Sequence, residues 1–260
     1  MRRILVFIYG VTCYLIFLST FLYAIGFVGN FLVPKSLDSA PEMTFGQALL
    51  VNLGLLGLFA LQHSLMARPA FKQWWTTFVP PPVERSTYVL FSSLALLLLF
   101  WQWQPMGGTL WHIENATGRL LLYGLFSFGW LLVLVSTFLL NHFDLFGLRQ
   151  VSLYLWGKEY TALKFATPGP YQLVRHPLYV GWFFAFWATP TMTVAHLVFA
   201  VLTAAYILIA IYLEERDLLA AHGEAYAEYR RQVPRLVPRF FAKKRMPQPA
   251  AQEVMHKTAA

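Results

Sequence analysis

Apolar residues in this chain come in long uninterrupted blocks, and the polar residues fall between the blocks rather than alternating within them. The first block, Ile4 to Val33, is about twice the length of a signal-peptide apolar region and predicts a retained span. Further blocks predict spans over Phe45–Met66, Thr87–Trp103 and Arg119–Leu140. Between Arg68 and Glu84 lies a shorter aromatic segment, Phe71-Lys72-Gln73-Trp74-Trp75, closed by Pro80-Pro81-Pro82, and its Trp and Lys content suits a membrane interface. Gln104-Pro105-Met106-Gly107-Gly108 marks a turn. Pro177 and Pro190 bound a short apolar stretch, and a longer one follows from Val194 to Leu213; the two are expected to form an antiparallel helical hairpin turning at Thr189-Pro190-Thr191. From Glu214 onward, Leu218, Leu219, Tyr226, Tyr229, Val233 and Val237 recur among charges, which predicts an amphipathic helix.

The fold class that follows is all-α: a polytopic integral membrane bundle of five to six spans with an amphipathic C-terminal helix. The chain divides into a four-span region (1–140), a core with the hairpin and amphipathic tail (141–240) and a tail rich in Lys, Pro, Gln and Ala (241–260), expected to be disordered.

Composition agrees. Only 12% of residues are charged and 58% are hydrophobic, with a mean hydropathy of +0.52, whereas soluble domains carry about 25% charged residues. The net charge of +8 comes largely from the end of the chain, where nine of the 20 basic residues lie between Arg216 and Lys257. In a membrane protein that distribution indicates orientation and anionic lipid rather than nucleic acid. Arg2, Arg3, Arg68, Lys72, Arg85, the segment from Arg149 to Arg175 and the tail all fall on one side, so both termini are expected in the cytoplasm. Asn115-Ala116-Thr117 matches a glycosylation acceptor but is too short a pattern to weigh. Cys13, the single cysteine, excludes an intrachain disulfide and a cysteine metal site.

Chemistry concentrates in Gly169-Pro170-Tyr171-Gln172-Leu173-Val174-Arg175-His176-Pro177-Leu178-Tyr179-Val180-Gly181, and in Glu214-Glu215-Arg216-Asp217 at the end of the hairpin. Ionisable groups at a span's end are costly unless they have partners or line a wet cavity, so a functional site is expected here. Interfacial snorkelling of flanking residues is the alternative.

These segments resemble the isoprenylcysteine carboxyl methyltransferase and phospholipid methyltransferase superfamily, over about Leu163 to Pro238. The ordered set is Gly169-x-Tyr171, Arg175-His176-Pro177-x-Tyr179-x-Gly181, Glu214-Glu215-x-x-Leu218, Gly223-x-x-Tyr226-x-x-Tyr229 and Val233-Pro234. Gln62-His63-Ser64-Leu65-Met66-Ala67-Arg68 and Asn141-His142-Phe143-Asp144-Leu145-Phe146-Gly147-Leu148 are similar to the bacterial methanethiol S-methyltransferases within it.

The resemblance implies that S-adenosylmethionine binds a cytoplasm-facing pocket at the inner membrane of a bacterium. The matching cofactor contacts are Tyr171, His176, Pro177, Leu178, Tyr179 and Glu214, with Leu163 to Ala166 as a less distinctive strip. Arg175 either organises the loop or meets the methionine carboxylate. In the carboxyl methyltransferases an arginine one turn before the acid holds the substrate carboxylate; here that position is Ala210, which makes a small uncharged thiol the expected acceptor. Methyl transfer to sulfur needs positioning and a deprotonated thiol rather than a metal, and His63, His142 and Asp144 are the candidates for general base or relay. Methylation of a lipid or prenylcysteine carboxylate, and a non-catalytic membrane role on the same scaffold, are the competing readings.

Overall fold

A computed structural model describes residues 1–238; the tail expectation for 241–260 lies outside the described residues. The apolar blocks fold as long helices: α1 (Arg2–Gly29), α2 (Phe45–Ala67), α4 (Pro81–Gln102), α5 (Ala116–Leu139) and α9 (Val194–His222), each long and apolar enough to cross a bilayer. The protein is therefore a multi-pass, all-α membrane bundle. Their outward faces carry exposed side chains such as Leu15, Leu58, Leu98, Leu131 and Ile209, as expected where lipid rather than water is the solvent. The interfacial segment forms α3 (Pro69–Trp75), and α6 (His142–Leu145), α7 (Leu148–Leu155) and α10 (Glu224–Gln232) are short helices at the same end.

Two boundaries differ from the sequence reading. The triple proline begins a helix instead of closing a loop: Pro81 and Pro82 occupy the first turn of α4, where a missing N–H costs nothing. Helix α9 runs straight through Glu214–Asp217 to His222. The break comes at Gly223, whose φ of 54° suits glycine.

The sixth passage is α8 (Pro177–Trp187), of 11 residues. At 1.5 Å per residue it is about 16 Å long, half of a bilayer's roughly 30 Å hydrocarbon core. β2 (Thr191–Thr193) pairs antiparallel with β1 (Thr109–His112) in the α4–α5 loop, Thr109 opposite Thr193 and His112 opposite Thr191. This small sheet was not legible in the hydropathy pattern. Beside it Asp38 of the α1–α2 loop accepts from Asn30 (2.6 Å) and Thr193 and lies 3.5 Å from the buried ring of His196.

Helix α8 is held mainly by α5. A Cβ built on Gly129 would come within 2.5 Å of the Ala185 backbone nitrogen, and one on Gly181 within 2.8 Å of the Gly129 carbonyl. The two helices thus meet backbone to backbone, the small-residue packing favoured where no hydrophobic effect drives helices together. Aromatic edges from Phe21, Trp130, Trp182, Phe186 and Phe199 fill the core above this contact.

Candidate active site

The end of the bundle opposite the sheet contains a cavity of about 1110 Å³. Its walls come from residues 138–145 after α5, the extended strip 163–167, the Tyr171–Tyr179 motif, the end of α9 and α10. Proline builds the motif's corner: Pro177 occupies the first position of α8, and His176 before it is held out of the helical region at φ −126°, ψ 61°. The chain thus turns sharply from the turn at Gly169–Gln172 into the helix. Helix α9 supplies its side chains at helical spacing, with Glu214, Leu218 and His222 on one stripe lining the cavity.

The adjacent acid faces elsewhere. Glu215 continues the buried stripe of Ile207 and Ile211, and it is the hub of an ion-pair cluster. Its Oε1 accepts from Arg175 Nη2 (2.7 Å) and Nε (3.0 Å) and lies 3.1 Å from His176 Nε2; its Oε2 accepts from Arg235 Nη2 (2.9 Å). The Arg175 Nη1 also donates to the Arg230 carbonyl at 3.0 Å. The backbone N–H groups of Arg175 and His176 donate to the carbonyls of Pro234 (2.8 Å) and Arg235 (3.2 Å). Hydrogen bonding to Glu215 raises the pKa of Arg235 further above its usual range. The cluster clamps the C-terminal segment across the motif, and Arg175 is wholly engaged in it.

Glu214 keeps a partly exposed carboxylate in the cavity, its Oε2 accepting from Tyr179 at 2.9 Å. Tyr229 donates to the Tyr171 carbonyl at 2.6 Å. Phe165 packs against His222, Tyr226 and Tyr229 at centroid distances of 5.1, 5.9 and 5.6 Å. Tyr226 is 1% exposed, yet its hydroxyl has no partner within the described residues. Burial, and then the Glu215 carboxylate, push its pKa to about 12, so it is a neutral donor facing the cavity. Burial likewise raises Tyr171 and Tyr229.

The sequence-predicted residues Leu163, Ala166, Tyr171, Arg175, His176, Leu178, Tyr179 and Glu214 all line this one cavity, together with His142 and Asp144. Pro177 is buried behind the wall. His63 is not at the cavity; it lies within α2, against α4. His142 has both nitrogens occupied: Nε2 is 2.9 Å from the Tyr14 hydroxyl and Nδ1 is 2.8 Å from Thr137 Oγ1. Thr137 donates its own proton to the Leu134 carbonyl, so it accepts from Nδ1–H and Tyr14 donates to Nε2. Burial holds the His142 imidazole below its usual range. Asp144 is paired with Arg149 at 2.8 Å and approached by Tyr160 at 3.3 Å. Tyr226, Tyr229 and His222 were not singled out as site residues, although the spacing of Tyr226 and Tyr229 after Gly223 was visible; Phe165 falls within the expected Leu163–Ala166 strip.

The chain is 64% identical to the methanethiol S-methyltransferase of Crocosphaera subtropica over 94% of this chain and 95% of that one. It is 56% identical to that of Mycobacterium tuberculosis, over 92% and 98%, and 52% identical to methanethiol S-methyltransferase 2 of Bradyrhizobium diazoefficiens, over 94% and 93%. This chain belongs to the methanethiol S-methyltransferase family. As a family member it is an enzyme that uses a methyl donor. No family model and no solved structure matches it.

Proposed function

We propose that the protein transfers a methyl group from S-adenosylmethionine to the sulfur of methanethiol, giving dimethyl sulfide and S-adenosylhomocysteine. The observation that carries this reading is the single cavity in which the motif side chains, Glu214 and the α10 tyrosines converge, in a chain of this family. The cavity's size suits a nucleoside-sized ligand, and its chemistry fits one. Phe165, His222 and Tyr229 offer aromatic walls, the Tyr226 hydroxyl, without a partner among the described residues, offers a donor, and the Glu214 carboxylate offers a counter-charge for a cation. Tyr171, His176, Leu178, Tyr179, Glu214 and the 163–166 strip would hold the donor, which supplies an electrophilic methyl on a positively charged sulfur. Arg175 and Glu215 act on the shape of the site by clamping the tail over it.

The protein's contribution is positioning and exclusion of water. Meeting of a thiolate with a sulfonium cancels charge, so a dry site favours the reaction. Ala210, one turn before Glu214 on the same stripe, offers no cation for a carboxylate acceptor, which favours a small thiol over a prenylcysteine. The basic residues at the cavity end favour a cytoplasmic placement of both termini in a bacterial inner membrane.

The test is purified protein in lipid nanodiscs with isotopically labelled S-adenosylmethionine and methanethiol, read by headspace gas analysis. Labelled dimethyl sulfide well above a Glu214→Ala control is expected; product at or below that control overturns the reading.

A further inference from the structure

The stripe of α9 that lines the cavity continues inward. Stepping back from Glu214 by four residues gives Ala210 and by eight gives Tyr206, about 12 Å along the helix axis. The Tyr206 hydroxyl lies 3.1 Å from Ser64 Oγ on α2. Next to Ser64, the His63 ring stacks on Phe59 and meets two hydroxyls of α4. Ser92 Oγ is 3.1 Å from Nδ1, and the Tyr88 hydroxyl is 3.1 Å from Nδ1 and 3.0 Å from Nε2. Tyr206 and Tyr88 lie within electrostatic reach of Tyr179, the residue that donates to Glu214. A histidine and four hydroxyl groups therefore gather inside the spans, separated from the donor cavity by Tyr179 and by an alanine. Polar groups at that depth are costly in a membrane protein and mark function.

We propose that this cluster is the acceptor site: methanethiol passes Ala210 and Tyr179 to lie against His63, which takes the sulfhydryl proton. The proposal rests on the thiol methylation argued above. The Tyr88 hydroxyl reaches both ring nitrogens but serves one at a time. With the ring proton on Nδ1, that N–H donates to Ser92 Oγ or the Tyr88 hydroxyl and leaves Nε2 to accept from a sulfhydryl. The S–H bond then breaks with its proton passing to Nε2, and the sulfur lone pair forms the new bond to the donor's methyl carbon. The old carbon–sulfur pair stays with the sulfonium sulfur, which becomes a neutral thioether; the proton leaves afterwards. His63 is thus a catalytic residue, and Tyr88 and Ser92 position its ring. The charged groups around the cluster are Arg85 on α4, 5.0 Å above the Tyr88 ring and donating to the Leu145 carbonyl, the Arg68–Asp217 pair at 2.9 Å, and Glu214 beyond Tyr179. His142, whose two nitrogens are both engaged at the cavity, has no comparable freedom.

The experiment uses the full chain in nanodiscs and compares His63→Ala, His63→Gln and Ala210→Leu with wild type. A Gly54→Ala control is placed where an added methyl meets nothing. S-adenosylhomocysteine binding is read by calorimetry, and turnover of methanethiol is read across pH. Both His63 variants should bind S-adenosylhomocysteine within about 2-fold of wild type, while kcat falls roughly 10²- to 10⁴-fold. The deficit should shrink as pH rises and the thiol ionises unaided. Ala210→Leu should raise the methanethiol KM with donor affinity unchanged. Turnover of His63→Ala within 3-fold of wild type, a deficit that does not vary with pH, or loss of S-adenosylhomocysteine binding in both His63 variants overturns the proposal. Wild-type protein that binds S-adenosylhomocysteine but methylates no thiol overturns the parent reading, and this one with it.

Discussion

The two ends of the bundle both gather polar side chains, and they use them differently. At the sheet end, Asp38 accepts from Asn30 and Thr193, the Thr193 hydroxyl accepts from the His196 backbone N–H, and β1 and β2 close the loops with backbone hydrogen bonds. At the motif end, one acid is consumed by three cationic or imidazole partners while its neighbour Glu214, the Tyr226 hydroxyl and the aromatic walls face open space. The contrast is between polar groups that finish a fold and polar groups left for something else. Position along a helix decides which is which: Glu214 and Glu215 differ by one residue, about 100° of rotation, and that step separates a cavity wall from a buried clamp.

Four substitutions break or sharpen this contrast, taken from the largest effect down. Gly181→Leu drives a side chain into the α5 backbone and should abolish both thermal stability and S-adenosylhomocysteine binding, measured by melting in nanodiscs and calorimetry. Glu215→Ala strands Arg175 in a buried site. Breaking a buried pair costs about 3 to 5 kcal/mol, so a marked fall in Tm is expected, with ligand affinity lost through loosening of the tail. Asp38→Ala at the sheet end should lower stability by about 1 to 3 kcal/mol and leave ligand affinity unchanged; a changed affinity would erase the distinction between the ends. Tyr226→Phe removes a hydroxyl with no partner among the described residues. It should leave Tm untouched while weakening S-adenosylhomocysteine by about 0.5 to 1.5 kcal/mol, a few-fold to tenfold in Kd.

His142 adds a pH dependence. Its folded pKa is held below the unfolded value near 6.5, so the unfolded chain binds more protons as the medium acidifies. Its contribution is fully present above that value and is lost as pH falls below it. Stability of the cavity wall should therefore drop between about pH 6.5 and the depressed folded value, and replacing His142 by Gln should flatten that part of the profile, read by melting across pH.

Much of this was legible in the chain. The spans follow from block hydropathy, and the motif and Glu214 follow from ionisable residues placed at span ends. The pocket's back wall was partly legible too, because Tyr226 and Tyr229 keep helical spacing after Gly223. The inward stripe of Ile207 and Ile211 was a readable sign that Glu215 is buried, since all three recur every fourth residue. Other features had no local signature. Strands of four and three residues that pair across about 80 positions leave no period to detect, and the meeting of His63 with Tyr88 and Ser92 depends on how α2 and α4 pack. The engagement of both His142 nitrogens required Tyr14, 128 residues away.

Gly129 and Gly181 touch through main chain alone, and main chain has no rotamers to exchange. The α5–α8 seam is therefore the fixed jamb of the cavity, unable to widen without separating the helices. The opposite side is joined by side-chain ion pairs and by two hydrogen bonds to Pro234 and Arg235, which can release and re-form. Of the cavity's two sides, the C-terminal leaf is the one whose bonds can exchange, and the seam is the one whose bonds cannot.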